Sequence, residues 1–246
     1  MRVKTGAGRG ALPETRMRAA RLLVSGSAPL PAPVFARVEV LTGQQIVERY
    51  GLTETLMNTA VRADSPRRPG YVGVPVEGVD VRLVADDGGD VEVSDDETIG
   101  EIAVRGPNVF SGYLNRPDAT AEALRDGWFF TGDIGTRAPD DYWRIVGRRS
   151  TDLIKTGGYK VGAGEIEVAL LEHPGVREAA VTAAPDDDLG ERIVAWVVPE
   201  GDAPDAKVLI DHVASELAPH KRPRAVHFLD ELPRNAMGKV VKTKLR

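Results

Sequence analysis

The stretch GRRSTDLIKTGGYK, residues 147–160, separates two regions whose sequence patterns differ. Before it, aromatic and β-branched residues alternate with polar ones over 142–146, which predicts a strand that Gly147 ends. After it, apolar residues recur at helical spacing over 165–172, which predicts a helix. Between them, Gly157-Gly158 predicts a loop in which the backbone bends sharply or lets a ligand approach closely. The order is therefore strand, basic hinge, glycine loop and helix.

The basic residues of this stretch admit two interpretations. Lys and Arg side chains beside two adjacent glycines and an acidic helix start favour the handling of a phosphate or a nucleotide. A surface turn between two domains is the alternative, and turns of that kind are common. The stretch alone leaves both open.

Composition narrows the class of protein. The chain has 246 residues, enough for one large or two ordinary domains. Its net charge of −5 argues against a nucleic-acid binder, and the absence of Cys excludes disulfides, thiolate metal sites and a cysteine nucleophile. Because we find neither an apolar run of membrane-spanning length nor an apolar signal core, we expect a cytoplasmic protein with no membrane partner.

The N-terminal part predicts alternating strands and helices. Residues 1–16 are basic, glycine-rich and without periodicity, so we expect a disordered or poorly anchored tail. A strand over 21–24, a short helix over 34–41 and a strand over 45–50 follow. The small-residue loop Ser25-Gly26-Ser27 comes directly after the first strand, where α/β sheets usually place ligands.

Four chemically different side chains lie where the strand over 45–50 ends. Arg49, Tyr50, Thr53 and Glu54 supply a cation, an aromatic ring, a hydroxyl and a carboxylate within six residues. Alternation along the strand places Arg49 and Tyr50 on opposite faces. The alternative is a strand end followed by a helix that Thr53 caps.

Two further units follow, so the fold class is α/β plus α+β. Strands over 79–85, 101–105, 128–131 and 142–146 predict a small antiparallel or barrel-like unit at about 70–146. Asp133 is expected just after the third of these strands, where Asp is more often a turn former. After the hinge, a compact α+β unit is predicted from a helix over 165–172, strands over 178–183 and 192–198, a helix over 206–217 and a strand over 225–229. Met237-Gly238 predicts a turn just before Lys239, in a basic tail that taken alone is best interpreted as solvated.

Seven ordered blocks give the chain a family resemblance. The blocks are SGSAPL (25–30), ERYGLTET (48–55), GEIAVRGPNVFSGYL (100–114), WFFTGD (128–133), YWRIVGR (142–148), LIKTGGYKVGAGEIE (153–167) and PRNAMGK (233–239). Through them the chain, from about residue 17 to the end, resembles the C-terminal portion of the adenylate-forming, AMP-forming acyl-CoA synthetases. The block ERYGLTET, with Arg49 directly before Tyr50, looks most like malonyl-CoA or methylmalonyl-CoA synthetases.

The resemblance implies an ATP-dependent ligase that uses Mg²⁺ and coenzyme A. ATP converts a small-molecule carboxylate, here malonate or methylmalonate, to an acyl-adenylate, and the CoA thiol then displaces AMP. Residues 17–148 would be the C-terminal part of the large domain, and residues 149–246 the mobile C-terminal domain. That small domain would turn about a hinge between the two steps, so that one active site serves both.

The family's site residues carry over to matching positions of this chain. The resemblance places Tyr50 on adenine, Thr53 at the α-phosphate, Glu54 on Mg²⁺ and Lys239 between the carboxylate and the α-phosphate. It also places Asp133 and Arg148 at the ribose, and Ser27 and Lys155 with the cofactors. Pantetheine would contact Gly157, Gly158 and Tyr159, and the acid would contact Ser25, Gly26 and Arg49. The hinge would be at Arg149, Ser150 and Thr151.

Two departures from the family pattern leave alternatives. One extra residue precedes the glycines, so either Ser150 or Thr151 is the hinge. The Ser/Thr/Gly-rich loop that grips the ATP phosphates is not found in this sequence, so we expect a truncated chain. The alternative to an active ligase is then a non-catalytic remnant, or one half of a split enzyme whose N-terminal half another chain supplies. A carrier-protein adenylation domain is less favoured, since no carrier segment follows.

Overall fold

The computed structural model describes residues 17–236 and 238–245, so the predicted tail at 1–16 lies outside the described residues. Within them the chain divides into two compact units. The first unit comprises residues up to 131 together with 136–145, and the second comprises 132–135 together with 146 onward. Among the described residues, no helix combines the length and the apolar character needed to cross a membrane.

The first unit opens with a four-stranded sheet in the order β1-β2-β3-β4. β1 and β2 are parallel, and the remaining neighbours are antiparallel. Helix α1 connects β1 to β2 and ends at Gly43, whose φ of 72° is the left-handed conformation that glycine adopts easily. These elements are β1 (Val24–Ser25), α1 (Ala32–Thr42), β2 (Val47–Tyr50), β3 (Thr59–Ala60) and β4 (Val74–Pro75).

The predictions for this sheet were partly confirmed. The helix predicted at 34–41 and the strand at 45–50 are α1 and β2. The strand predicted at 21–24 is wrong over most of its length, because only its last residue belongs to β1. Leu22 and Leu23 pack against separate apolar clusters, so they owe their partial burial to side-chain packing and not to a strand ladder.

A second sheet follows in the order β5-β6-β8-β7, with β9 also paired to β8. Its elements are β5 (Asp80–Val84), β6 (Gly100–Arg105), α2 (Pro117–Ala123), β7 (Leu124–Arg125), β8 (Trp128–Arg137) and β9 (Trp143–Arg148). The β-rich unit expected at about 70–146 is thus present. Its largest fully buried side chains, Ile102, Phe129 and Trp143, show that a dry core supports the sheet.

Two strand ends differ from the predictions. β8 runs for ten residues, so Asp133 lies inside a strand and not just after one. β9 likewise continues through Gly147 to Arg148, so Gly147 does not end it. Both strands contain a glycine with positive φ, Gly132 at 71° and Gly147 at 153°. In the sequence, a glycine at such a position looks like the end of a strand. Glycine there bends a strand without stopping it.

The second unit is the predicted α+β unit with an additional hairpin. Its sheet has the order β11-β10-β13-β12, and β14 pairs with β13 in parallel. The elements are β10 (Leu153–Thr156), β11 (Tyr159–Gly162), α3 (Ala163–Glu172), β12 (Val176–Asp186), β13 (Gly190–Pro199), α4 (Ala206–Glu216) and β14 (Ala225–Phe228). Its core is built from fully buried side chains of both helices and the sheet, including Ile154, Ile166, Leu170, Ile193 and Leu209.

The glycine loop of the sequence is the turn of a β-hairpin. Gly157 and Gly158 join β10 to β11 with φ values of 56° and 82°. A two-residue hairpin turn of this type needs positive φ at both central positions, which explains the pair of glycines. The flanking strands escaped prediction because they have only four residues each and little alternation.

Candidate functional site

The small-residue loop after β1 lies beside the end of β2 in the first unit. Ser25 is paired with Glu48 across the two parallel strands. A Cβ atom on Gly26 would lie 3.2 Å from Cγ of Arg49, so the Arg49 stem passes directly over this glycine. Ser27 has a left-handed φ of 71°. Because parallel strands end at the same edge of a sheet, the loop and Arg49 form one local group.

The residues of β2 alternate between two environments. Tyr50 is buried in the core cluster that contains Trp143, and Glu48 is only 6% exposed. Arg49 is half-buried on the other face, as alternation predicts. The Glu48 carboxylate accepts a hydrogen bond from the Gly70 amide at 2.8 Å. Burial raises the pKa of Glu48 to about 7, although the Gly70 amide works against that rise.

Thr53 and Glu54 lie in a turn and not at a helix start. The Thr55 amide donates to the Leu52 carbonyl at 3.2 Å, and no helix follows β2 before β3. The capping alternative for Thr53 is therefore wrong. Thr53 is exposed, whereas Glu54 is half-buried and accepts a hydrogen bond from the Tyr113 hydroxyl at 3.1 Å.

The segment 108–113 holds this turn, a role that sequence reasoning missed. Asn108 donates from Nδ2 to the carbonyls of Thr55 and Met57, at 2.6 and 3.0 Å. The Phe110 amide donates to the Glu54 carbonyl at 2.8 Å. The only signal was the quoted block at 100–114, whose individual residues carried no assigned role.

In the second unit, Asp133 and Arg148 form an ion pair. Nε of Arg148 lies 2.9 Å from Oδ1 of Asp133, and the side chains are 51% and 8% exposed, respectively. The Arg149 amide donates to the Gly132 carbonyl at 2.9 Å, which ties the end of β9 to β8. A buried carboxylate is thus held in place by a cation that reaches the surface.

The predicted hinge is a tight exposed turn. The amides of Thr151 and Asp152 both donate to the Arg148 carbonyl, at 3.2 and 2.7 Å. The Arg148 amide in return donates to Oδ2 of Asp152 at 2.7 Å. Arg149, Ser150 and Thr151 are exposed at the outside of this turn. Asp152 stabilises the turn and was not among the predicted site residues.

The glycine hairpin turn is anchored on one side and stacked on the other. The Gly157 amide donates to the Leu189 carbonyl at 2.9 Å, and Gly158 follows with open space around it. Tyr159 is exposed and stacks on His220 with ring centroids 4.0 Å apart. Lys155 is exposed, while its backbone amide donates to Glu191 at 2.7 Å.

Lys239 lies at the exposed end of a short loop. An isolated bridge between Arg234 and Val240 closes the loop. The Lys239 amide donates to Oδ1 of Asn235 at 3.0 Å, and Gly238 has a left-handed φ of 83°. The tail is therefore structured and not merely solvated.

Comparison with known proteins identifies the family of this chain. A family model of AMP-binding enzymes matches residues 3–114, and the model of the AMP-binding enzyme C-terminal domain matches residues 165–239. The chain belongs to the AMP-binding enzymes. The resemblance inferred from the seven sequence blocks is thereby confirmed.

Similar AMP-binding enzymes include several CoA ligases. A malonate–CoA ligase of Arabidopsis thaliana is 39% identical and the mitochondrial malonate–CoA ligase of Homo sapiens 41% identical, over 93% and 92% of this chain. A long-chain-fatty-acid–CoA ligase of Yersinia pestis is 40% identical over 92% of the chain. The chain spans only about two fifths of these relatives, 39% to 42% of their lengths.

Solved structures of AMP-binding enzymes share the fold. ATP-bound MatB from Rhodopseudomonas palustris is 42% identical with a TM-score of 0.83, over 92% of this chain and 45% of that one. A malonyl-CoA ligase with methylmalonyl-CoA and AMP bound is 60% identical with a TM-score of 0.53, over 90% of this chain and 48% of that one. The predicted mixed fold, an α/β part followed by an α+β part, is confirmed by these matches.

Proposed function

We propose that this chain is part of an AMP-forming ligase that joins malonate or methylmalonate to coenzyme A through an acyl-adenylate. Its similarity to malonate–CoA ligases supports the reaction class. The observation that supports a dicarboxylate is Arg49, packed over Gly26 at the carboxyl ends of β1 and β2. ATP activates the carboxylate and releases pyrophosphate, and the CoA thiol then displaces AMP.

The second unit supplies the groups proposed for the ribose and for the transfer step. The two oxygens of Asp133 suit a vicinal diol, and Arg148 orients this carboxylate. Lys239 provides a cation for the negative charge that develops at the α-phosphate. The hairpin turn Gly157-Gly158 leaves room for pantetheine, since nothing lies within 4 Å of a Cβ at Gly158.

The first unit supplies the groups proposed for adenine, the α-phosphate and Mg²⁺. Tyr50 offers a fixed ring, and Thr53 an exposed hydroxyl. Glu54 fits a Mg²⁺ ligand, because the Tyr113 hydroxyl holds its half-buried carboxylate and Mg²⁺ is commonly bound by one or two carboxylates together with substrate phosphates. Bound there, the ion would neutralise phosphate charge.

Arg49 distinguishes a dicarboxylate from a fatty acid. The second carboxylate of malonate costs free energy when it is buried without a partner, and a guanidinium meets it with two parallel hydrogen bonds. A fatty acyl chain would instead need an apolar surface at the same place. We therefore assign malonate or methylmalonate in preference to the long-chain acids named for other relatives.

A chimera tests this assignment. The upstream part of Rhodopseudomonas palustris MatB is fused to residues 17–246 of this chain, and ATP–pyrophosphate exchange is measured with malonate and with butyrate. We expect malonate-dependent exchange in the chimera. Arg49→Met should lower it roughly 10²- to 10⁴-fold, because removing one partner of a buried charge pair costs about 3–5 kcal/mol. Exchange with butyrate should be retained or improved.

The matched control is Arg62→Met, which removes an exposed arginine of the same unit. It should leave both exchange rates within about two-fold of the unaltered chimera. Malonate exchange that survives Arg49→Met would remove the dicarboxylate assignment and leave a ligase for another acid. No exchange with any acid in the chimera would contradict the ligase proposal itself.

A further inference from the structure

A buried ion cluster in the second unit has no part in the function proposed so far. Nζ of Lys242 lies 2.5 Å from Oδ1 of Asp152 and 2.7 Å from Oε1 of Glu167. The three side chains are only 18%, 16% and 21% exposed. One ammonium thus bridges two carboxylates, away from most of the solvent screening that weakens surface pairs.

Each carboxylate of the cluster is anchored to a different element. Asp152 belongs to the hinge turn, where its other oxygen accepts the Arg148 amide at 2.7 Å. Glu167 lies on α3, and its Oε1 also accepts the amide of Val181 on β12 at 2.8 Å. Lys242 begins the final 3-10 turn of the chain. This lysine therefore connects the hinge turn, the helix and the sheet to the C-terminal tail.

The charges of the cluster depend on one another. Burial raises the pKa of Glu167, and Lys242 opposes that rise. Burial lowers the pKa of Lys242, but the Glu167 and Asp152 carboxylates outweigh it and hold this pKa above its usual value. Loss of the ammonium would leave two carboxylates facing each other without a cation, which is strongly unfavourable.

The tail that Lys242 anchors also carries Lys239. Leu232 and Leu245 are buried at either end of the tail, in the apolar cluster that contains Ala180 and Val198. Arg234 forms an ion pair with Glu178 of β12 just before the loop, and Lys242 forms its pairs three residues after Lys239. The loop of Lys239 is thus held by an ionic anchor on each side.

We propose that Lys242 is a positioning residue for adenylation, fixing the loop of Lys239 to the turn that carries Arg148. A continuous set of contacts runs from Asp133 through Arg148 and Asp152 to Lys242. The residue proposed for the ribose and the lysine proposed for the α-phosphate are thereby joined by a chain of contacts within the second unit. The catalytic meaning of this link rests on the function proposed above, but the link itself does not.

Amide hydrogen exchange of the 246-residue chain tests the link without any enzyme activity. In Lys242→Met, we expect the amides of Arg148 and Lys239 to exchange at least ~10-fold faster, because both would open locally. The amides of β13 should keep their rates. Lys244→Met is the matched control, since it removes an exposed lysine of the same 3-10 turn and should change neither amide.

Rates for Arg148 and Lys239 that stay at the wild-type level in Lys242→Met would overturn the proposal. If β13 exchanges faster to the same degree, the unit has unfolded, and Asp152→Asn then decides. That variant keeps an acceptor for the Arg148 amide but removes the charge that faces Lys242. It should accelerate the Lys239 amide with β13 unchanged, and an unchanged Lys239 amide would again overturn the proposal.

The chimera described above tests the catalytic part. Lys242→Met should lower malonate-dependent ATP–pyrophosphate exchange at least ~10-fold and leave thioester formation from supplied malonyl-adenylate within about two-fold. Lys242→Arg should recover most of the exchange, and Lys242→Met should lower exchange no further in a Lys239→Ala background.

Equal losses in both half-reactions, with no recovery in Lys242→Arg, would contradict a positioning role and leave Lys242 a structural anchor. A chimera without exchange would contradict the proposed function, while amide exchange still decides the link.

Discussion

The buried carboxylates of Asp133 and Glu48 have different partners. Asp133 has the Arg148 guanidinium 2.9 Å away, whereas the Glu48 carboxylate accepts a hydrogen bond from the Gly70 amide. An opposite charge favours an ionised carboxyl, and desolvation disfavours it. Glu48 therefore has a pKa of about 7, although it is next to Arg49 in sequence.

The pKa of Glu48 predicts a pH-dependent stability of the first unit. Because this pKa lies above its unfolded value of 4.5, the protonated carboxyl stabilises the folded state below pH 4.5, and that contribution is lost as pH rises through about 7. Glu48→Gln keeps the acceptor for the Gly70 amide and cannot ionise. We expect it to increase the free energy of unfolding at pH 8 by up to about 3 kcal/mol, with little effect at pH 4.5.

Urea unfolding at the two pH values measures this effect. Glu77→Gln is the control, since Glu77 is exposed in the same unit, and it should change stability equally little at both. A Glu48→Gln variant with the same stability change at pH 4.5 and pH 8 would show that the carboxyl titrates normally.

At the scale of elements, the junction between β11 and α3 depends on close packing over β9. A Cβ on Gly162 would lie 1.7 Å from Cγ1 of Val146. A Cβ on Gly164 would lie 2.5 Å from the carbonyl oxygen of Val146. Gly162 has an ordinary φ of −84°, so the constraint there is space and not backbone conformation. Gly158 is the opposite case, with a φ of 82° and open space around it. The two glycines are needed for different physical reasons.

This difference predicts two distinguishable mutational effects. Gly162→Ala should destabilise the second unit by about 1–3 kcal/mol through overpacking, and Val146→Ala in the same chain should recover part of that loss. Gly158→Ala should cost about 1–2 kcal/mol through backbone strain, with no recovery by Val146→Ala. Thermal or urea unfolding of the four variants measures both effects, and equal recovery in the two backgrounds would contradict the packing explanation.

At the scale of the whole chain, the second unit has a core of its own. The cluster around Ile154, Leu170 and Leu209 draws all its members from residues after 153. Both units expose some large apolar side chains, and the most exposed of them, Val40 and Leu114, lie in the first unit. Exposed apolar surface of this kind suits contact with another protein surface.

We expect residues 146–246 to fold as an isolated fragment, because their strands and helices cover one another. The fragment should unfold cooperatively in urea and resist limited proteolysis for longer than the first unit does within the full chain. A first unit as resistant as the fragment would contradict the idea that its apolar surface awaits a partner, and a fragment without a cooperative transition would contradict its independence.

Local patterns in the sequence determined the element types and the family. Helical spacing predicted α1, α3 and α4, alternation predicted β2, β6 and the long strands β12 and β13, and the order of seven motif blocks indicated the AMP-binding enzymes. These signals succeed because periodicity and turn chemistry are properties of neighbouring residues. They fail where glycines bend a strand without ending it, as at Gly132 and Gly147, and where strands are as short as β10 and β11.

Only the tertiary structure decided which distant residues meet. Asp152, Glu167 and Lys242 are separated by 15 and 75 positions, yet their charges form one cluster. The segment 108–113 contacts the turn that carries Glu54, more than 50 residues earlier in the sequence. Burial in the folded state raises the pKa of Glu48. No local pattern encodes such contacts, because their energy depends on distance and desolvation in the folded state and not on spacing along the chain.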